Sequence, residues 1–257
     1  MNRLTPNYSL DLSGQVALVT GASSGLGRRF AQILAASGAR LALAARRVDR
    51  LQALAEEIRA AGGKAAEIPL DVTDADQLAA AVDQAERTLG VVTILVNNAG
   101  APDAQYATKM PVELIDQVIS TNVRAPFILA REVARRLITH GLPGRIVNIS
   151  SMLAYDYSHA GGSLYSITKA TVVRMTEVLA VEWARYNINV NAIAPGAFHS
   201  EMMDAMIERT GEFRQRFPRQ RMGRSEQLDG TLLHLVSPSS DFVTGTVVKV
   251  DDCQHPR

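Results

Sequence analysis

Tyr165 and Lys169 have the types and the spacing that proton transfer needs. Both lie in Tyr165-Ser166-Ile167-Thr168-Lys169, within a stretch of helical pattern, and residues four apart on a helix share a face. A lone phenol ionises near pKa ~10, and a fixed positive charge within a few ångströms favours the phenolate and lowers that value. A phenol tuned in this way exchanges protons near neutral pH. A Tyr and a Lys at this spacing also decorate ordinary amphipathic helices, so the pair gains meaning only from what the rest of the chain sets beside it. Fourteen residues before Tyr165, Ser151 follows the apolar run Arg145-Ile146-Val147-Asn148-Ile149-Ser150. Side chains alternate along a strand, so Ser151 is the hydroxyl expected nearest a substrate and Ser150 points the other way.

Bringing these groups together requires a rigid scaffold, and the chain supplies alternating strands and helices. Residues 15–20 form a short β-rich run, followed by Gly21-Ala22-Ser23-Ser24-Gly25-Leu26-Gly27 and a helical pattern through residue 37. A strand, a glycine-rich turn and a helix start aim free backbone N–H groups and a positive dipole end at one point, which is a phosphate site. The spacing Gly-x-x-x-Gly-x-Gly is a variant of the dinucleotide fingerprint. Gly21, Ser23, Ser24, Gly25, Leu26 and Gly27 are therefore candidate cofactor residues, although tight turns use the same glycines.

The second unit is a strand over 40–45 and a helix over 48–61 with Leu51, Leu54, Ala55 and Ile58 on one stripe, ended by Gly62-Gly63. Dinucleotide folds usually place an acid at the tip of this strand, on the adenosine ribose 2′-hydroxyl. Here the tip reads Ala45-Arg46-Arg47. Two guanidinium groups match a 2′-phosphate, so the expected cofactor is NADP(H), with NAD(H) the alternative, Arg46 the first phosphate contact and Arg47 the second. Strand three, 64–70, ends at Asp71-Val72, before a capped helix over 75–89. Asp71 either accepts a hydrogen bond from an adenine amino group or caps a turn. Strand four, 92–96, runs into Asn97-Asn98-Ala99-Gly100, whose small residues let a ligand ring approach the backbone. Helices follow over 111–119 and 123–140, with Asn122 where the second begins. Strand five spans 145–150 and the helix bearing Tyr165 runs to about residue 183. Strand six, 188–194, ends at Pro195-Gly196, and strand seven covers 246–250. Between these two, 197–221 is rich in Met and Arg, as suits a lid over a pocket.

Bulk properties narrow the class. The chain has 257 residues, 47% of them hydrophobic, enough for one large core. With a net charge of +1, no global field points to nucleic acid or an anionic membrane. The polar stretch 1–13, with Pro6 and Asp11, lacks a signal peptide's apolar core, and no run nears the ~18 apolar residues of a membrane span. The expected location is the cytoplasm. The single Cys253 excludes an internal disulfide, and the five histidines lack metal-ligand spacing, so no metal centre is expected.

Taken together, Thr20-Gly21-x-x-x-Gly25-x-Gly27, Asp71, Asn97-Asn98-Ala99-Gly100, Asn122, Ser151, Tyr165-x-x-x-Lys169 and Pro195-Gly196 resemble the short-chain dehydrogenase/reductase family, in order and spacing, over 15–250. The resemblance implies an α/β fold: a Rossmann-type, doubly wound, seven-stranded parallel sheet with helices on both faces, in a single domain with an N-terminal extension (1–13) and a substrate lid (197–221). It implies that Tyr165 gives a proton to a carbonyl oxygen or takes one from an alcohol. Lys169 would lower the Tyr165 pKa and hold the nicotinamide ribose, Ser151 would bond the substrate oxygen, and Asn122 would position a water linking Lys169 to solvent. Cofactor contacts would come from the glycine-rich turn, Arg46, Arg47, Asp71, Val72, Asn98, Ala99, Gly100, Tyr165, Lys169, Pro195, Gly196 and Ser200. The implied partner is a small carbonyl or alcohol, possibilities including a 3-oxoacyl thioester and, as the alternative, a sugar acid or polyol with NAD(H). Helices 123–140 and 163–183 resemble the surfaces on which relatives form homotetramers.

Three departures accompany the resemblance. The loop from Ser151 to Tyr165, with Tyr155, Tyr157 and His159 as candidates for the pocket mouth or for loop packing, is about one residue longer than usual. Ser24 stands where some NADP-preferring relatives carry a basic residue. The tail reads Val250-Asp251-Asp252-Cys253-Gln254, where relatives commonly show Gly-Gly. A non-catalytic nucleotide-binding protein on this fold would be expected to lose Ser, Tyr or Lys, and all three are present.

Overall fold

Continuous apolar runs become strands buried on both faces, and in this chain they pair side by side. A computed structural model describes residues 8–103, 105–157 and 161–255. Its strands are β1 (Val16–Thr20), β2 (Arg40–Ala45), β3 (Lys64–Pro69), β4 (Ile94–Asn97), β5 (Gly144–Ile149), β6 (Ile188–Pro195) and β7 (Val247–Val250). All pair in parallel, in one seven-stranded sheet of order β3-β2-β1-β4-β5-β6-β7. The order reverses direction between β1 and β4, and ligands of open α/β sheets bind outside the carboxyl ends of strands at such a point.

Side-chain alternation divides each strand between two cores. Ala17 and Val19 of β1 join Phe30 and Leu34 of α1 (Gly25–Ala36), Leu51 and Leu54 of α2 (Val48–Ala60) and Leu232 of α8 (Asp229–Val236). Val16 and Leu18 face the other way, onto Leu78 and Val82 of α3 (Ala75–Leu89), Leu129 and Val133 of α5 (Ala125–His140) and Leu179 of α6 (Ser163–Trp183). Two further helices, α4 (Val112–Ile119) and α7 (Glu201–Thr210), contribute Gln117 and Met202 to the cleft described below. Buried amides knit the middle of the sheet to α6: Asn97 Nδ2 donates to Asn148 Oδ1 at 2.9 Å, and Asn148 Nδ2 to Thr176 Oγ1 at 3.0 Å.

Two sequence expectations change. Residues 111–119 and 123–140 were expected as two helices, but a π turn, Ser120–Arg124, carries the chain from α4 straight into α5. Pro126 explains the extra residue: it has no N–H for an α-helical bond to the Asn122 carbonyl, and a wider turn accommodates that loss. The end of the presumed N-terminal extension is also part of the body. Leu12 is 1% exposed, its N–H donates to Ser37 O at 2.7 Å, and Ser237 Oγ donates to Ser9 O. Among the described residues no helix is long and apolar enough to cross a membrane.

Candidate active site

The carboxyl ends of the strands open onto a single elongated cleft of about 950 Å³. At one end, β1 hands over to the glycine-rich turn. Gly21 adopts φ +67°, in the left-handed region, and a Cβ there would sit 2.8 Å from Asn98 Nδ2. A Cβ on Gly27 would meet Gly21 O at 2.3 Å and Asn98 Nδ2 at 2.4 Å, so α1 packs against β1 and β4 only because both residues lack side chains. Asn98 holds the turn through its own amide: Nδ2 donates to Thr20 O at 3.0 Å, while Thr20 Oγ1 accepts from the N–H groups of Asn98 and Ala99. Ser24, at the N-cap of α1, makes no side-chain cap bond, and the first turn carries no acid. Unclaimed N–H groups at a helix start, beside a glycine cradle that a Cβ would fill, fit the pyrophosphate of a dinucleotide.

Arg46, Arg47, Asp71 and Val72, the residues expected at an adenosine, line the cleft together. Arg46 is exposed, whereas Arg47 reaches across to the turn, donating to Ser24 Oγ at 2.6 Å and to Ser23 Oγ at 3.1 Å. Asp71 Oδ1 accepts from the backbone N–H and the hydroxyl of Thr73, at 2.9 and 2.8 Å. The Thr73 N–H bond is the main reason its pKa lies below the ordinary carboxylate range, with the Arg46 charge assisting. The turn-capping reading is thus realised, and one carboxylate oxygen is committed to it.

At the other end, α6 enters the cleft behind Asp103, whose Oδ2 accepts from Tyr165 N at 3.0 Å and so satisfies a donor of the helix's first turn. Ser150 Oγ donates to Lys169 O at 2.8 Å, pinning α6 to β5, and Ser151 turns into the cleft. Lys169 is 4% exposed; its Nζ donates to Ile149 O at 2.8 Å and lies 5.5 Å from the centroid of the Tyr165 ring. Burial pushes the Tyr165 phenol up to about 12, only partly offset by a hydrogen bond from Ser151, with Asp103 adding to the rise. The same burial pulls Lys169 down to about 8. In the chain alone, burial thus disfavours both charged forms, the phenolate and the ammonium.

Asn122 stands just behind the cleft rather than on its wall. It is 1% exposed; Oδ1 accepts from Ala101 N at 2.8 Å, and Nδ2 donates to Ala101 O at 2.9 Å and to Thr168 Oγ1 at 3.1 Å. A Cβ on Gly100 would lie 3.6 Å from Lys169 Nζ and 3.7 Å from Asn122 Oδ1, so Gly100 keeps the space between them open. Gly27 is likewise behind the wall. All the other candidate residues, from Gly21 to Ser200, line the one cleft.

The roof was less legible. Residues 197–199 close its base by hydrogen bonding with Gly223, and α7 with the turn Arg214–Arg216 presents Met202, Met206, Arg209, Phe213, Arg216 and Phe217 to the cleft. Ser200, expected near the nicotinamide, caps α7 by accepting from Met203 N at 3.2 Å. The tail that departs from the family pattern acquires a role. Gln254 Oε1 accepts from Ala197 N at 2.6 Å, and Asp252 pairs with Arg219 and Arg221, so the tail ties down the base of the lid. Asp252 and Cys253 hold φ of +51° and +60°, where glycine would be unstrained. Asp103, Gln254 and His255 line the cleft and were missed from sequence; none has a short-range signal, since each arrives from a loop. Tyr157 lines the cleft; Tyr155 instead lies under Lys249, whose Nζ is 3.9 Å from its ring centroid. His159 lies outside the described residues.

Comparison with known proteins agrees with this architecture. The family model for short chain dehydrogenases matches residues 15–210. Gluconate 5-dehydrogenase of Gluconobacter oxydans is 38% identical over 247 residues, covering 93% of this chain and 94% of the relative. The 3-oxoacyl-[acyl-carrier-protein] reductase of Thermotoga maritima is 34% identical over 241 residues, covering 93% and 97%. A solved structure from Beutenbergia cavernae, of a candidate NAD(P) dependent gluconate 5-dehydrogenase with NADP bound at low occupancy, superposes with a TM-score of 0.88 at 33% identity, covering 95% of this chain and 98% of that one. The chain belongs to the short-chain dehydrogenase/reductase family. It is an NAD(P)-linked oxidoreductase acting on CH–OH groups.

Proposed function

We propose that Tyr165 exchanges the substrate proton, with Ser151 bonding the substrate oxygen and Lys169 supplying the charge that stabilises the phenolate. The observation that carries this reading is convergence: Ser151, Tyr165 and Lys169 line the same cleft as the glycine-rich turn. A nicotinamide bound in this cleft would supply or receive the hydride. Around it the chain holds donors fixed before charge develops on the substrate oxygen, so little reorganisation is needed when it does. Pro126 leaves the Asn122 carbonyl without an α-helical donor, which supports a water there in contact with the lysine. Tyr165→Phe tests the assignment: turnover is expected to fall by about 10²–10⁴, the usual worth of a positioned general acid, with cofactor affinity near normal. Wild-type turnover in that variant would reject it.

The preferred cofactor is NADP(H), read by Arg46 and Arg47, with NAD(H) the alternative. For the substrate two classes stand. Met202, Met206, Phe213 and Phe217 give the roof apolar surface, which favours an apolar carbonyl such as a 3-oxoacyl thioester, while Arg209 and Arg216 beside them suit an anionic group on either class of substrate. Similarity to gluconate 5-dehydrogenase favours a sugar acid. Matched β-keto thioesters and keto sugar acids, each assayed with both cofactors, separate the classes. In this reading the working form is a homotetramer assembled through α5 and α6, whose outer faces expose Phe127, Ile138, Ile167, Val178 and Val181.

A further inference from the structure

The phosphate-reading end of the cleft already contains an anion. Arg47 Nη1 donates to Glu201 Oε2 at 2.8 Å, and Arg50 contacts the other carboxylate oxygen. Glu201 is the first residue of α7, next to Ser200, whose Cβ lies 3.4 Å from where a Cβ on Gly25 would be. Ser23, Ser24, Arg46, Arg47 and Glu201 all line the same cleft, and Arg47 bonds both serines as well as this carboxylate, so the anion sits on one of the two arginines read as the 2′-phosphate's partners. Hydrogen bonds from Arg50 and Arg47 hold Glu201 at about 2, so it is ionised at any working pH.

We infer that Glu201 is a specificity-determining residue: an internal anion that competes with the cofactor's 2′-phosphate for Arg47 and so lowers affinity for NADP(H) without touching affinity for NAD(H). The inference rests on the reading of Arg46 and Arg47 as the phosphate's partners. A phosphate approaching Arg47 has two courses. Either the carboxylate withdraws, breaking an ion pair, or it stays and repels the newcomer. Both penalise the phosphorylated cofactor alone, because a 2′-hydroxyl carries no charge and needs no guanidinium. A residue that instead merely held Arg47 in place would have the opposite effect on removal, since the guanidinium would lose its aim.

The test is to titrate NADPH and NADH into the full chain by dihydronicotinamide fluorescence, using wild type, Glu201→Gln, Asp204→Asn, Arg46→Ala, Arg47→Ala and the double variant Glu201→Gln with Arg47→Ala. Asp204 is an acid in the same first turn of α7 with no ion pair among the described residues, and controls for general charge. Glu201→Gln is expected to tighten NADPH by about fivefold or more, the effect of one unit charge a few ångströms away in a largely aqueous medium. NADH should stay within about twofold, the gain should shrink in high salt, Asp204→Asn should show none, and the double variant should lose it. An unchanged NADPH-to-NADH ratio in Glu201→Gln, or weaker NADPH, overturns the inference while leaving the phosphate reading intact if the arginine variants still hit NADPH selectively. Arginine variants that weaken both cofactors equally remove the phosphate reading, and the inference with it.

Discussion

Lys169→Met removes one buried charge beside Tyr165 while keeping most of the side-chain volume. With Nζ 5.5 Å from the ring centroid and an effective dielectric of about 20, the attraction between ammonium and phenolate is about 3 kcal/mol, or roughly two pKa units. Its full effect is felt only when the proton has left Tyr165 completely, so carbonyl reduction should slow by about ten- to a hundredfold. The pH profile gives a sharper readout. Because burial lowers Lys169 to about 8, its ammonium is present below that pH and lost above it. Wild-type kcat/KM for reduction should therefore be level on the acid side and fall as pH rises through about 8, a macroscopic step belonging to the coupled pair. In Lys169→Met the remaining phenol is still raised by burial and stays protonated, so the profile should run level through about pH 8 at its lower rate. The substitution also leaves the Ile149 carbonyl without its donor, a loss worth about 1–3 kcal/mol of stability, so melting curves must show a folded variant. A folded variant that keeps the step near pH 8, or the full rate, refutes the assignment of that step to this lysine.

Gly27→Ala must displace either the Gly21 carbonyl or the Asn98 amide, each under 2.5 Å from the new Cβ; it should cost about 1–3 kcal/mol of stability and most cofactor affinity, read by thermal melting and titration. Glu132 is buried on α5, where burial works against its charge but hydrogen bonds from Arg135, Arg136 and Arg131 prevail and lower its pKa from 4.5 to about 2. That contribution, about 3 kcal/mol, is complete above pH 4.5 and lost as pH falls toward 2, so Glu132→Gln should melt lower at neutral pH and converge on wild type in acid. A constant gap across that range would refute the ion cluster as its source. Light scattering should give a mass four times 27.8 kDa; a clean monomer would remove the tetramer.

The floor of the cleft could be read from sequence because each of its groups sits at a strand end or a short fixed distance along a helix. Strand ends are marked by apolar runs giving way to Gly, Asn or Ser, and in a parallel sheet all such ends lie on one edge. Thus Gly21, Asn98, Ser151 and Pro195 could be brought together without knowing a single contact, and Lys169 follows from Tyr165 by helical spacing. Asn122 shows the limit of that logic. Its place at a helix start was legible, but the π turn that turns its side chain onto Ala101 and Thr168 depends on Pro126 and on packing that no periodicity reports.

The roof follows a different rule. Asp103, Gln254 and His255 reach the cleft from loops, and what fixes them is hydrogen bonding to residues distant in sequence or in the tail, Asp103 to Tyr165 N, Gln254 to Ala197 N and His255 N to Asp251, rather than a periodic pattern of their own. Glu201 shows how function hides there. In sequence it is one acid opening a Met- and Arg-rich stretch; in three dimensions it faces Arg47, more than 150 residues earlier, across the glycine-rich turn. A strand-end rule assigns Arg47 to the cofactor, and only the fold reveals that the same guanidinium is shared with the lid. The sheet's edge thus gathers the groups that chemistry needs, while on the inference drawn from Glu201 a long-range ion pair of the lid tunes which cofactor they receive.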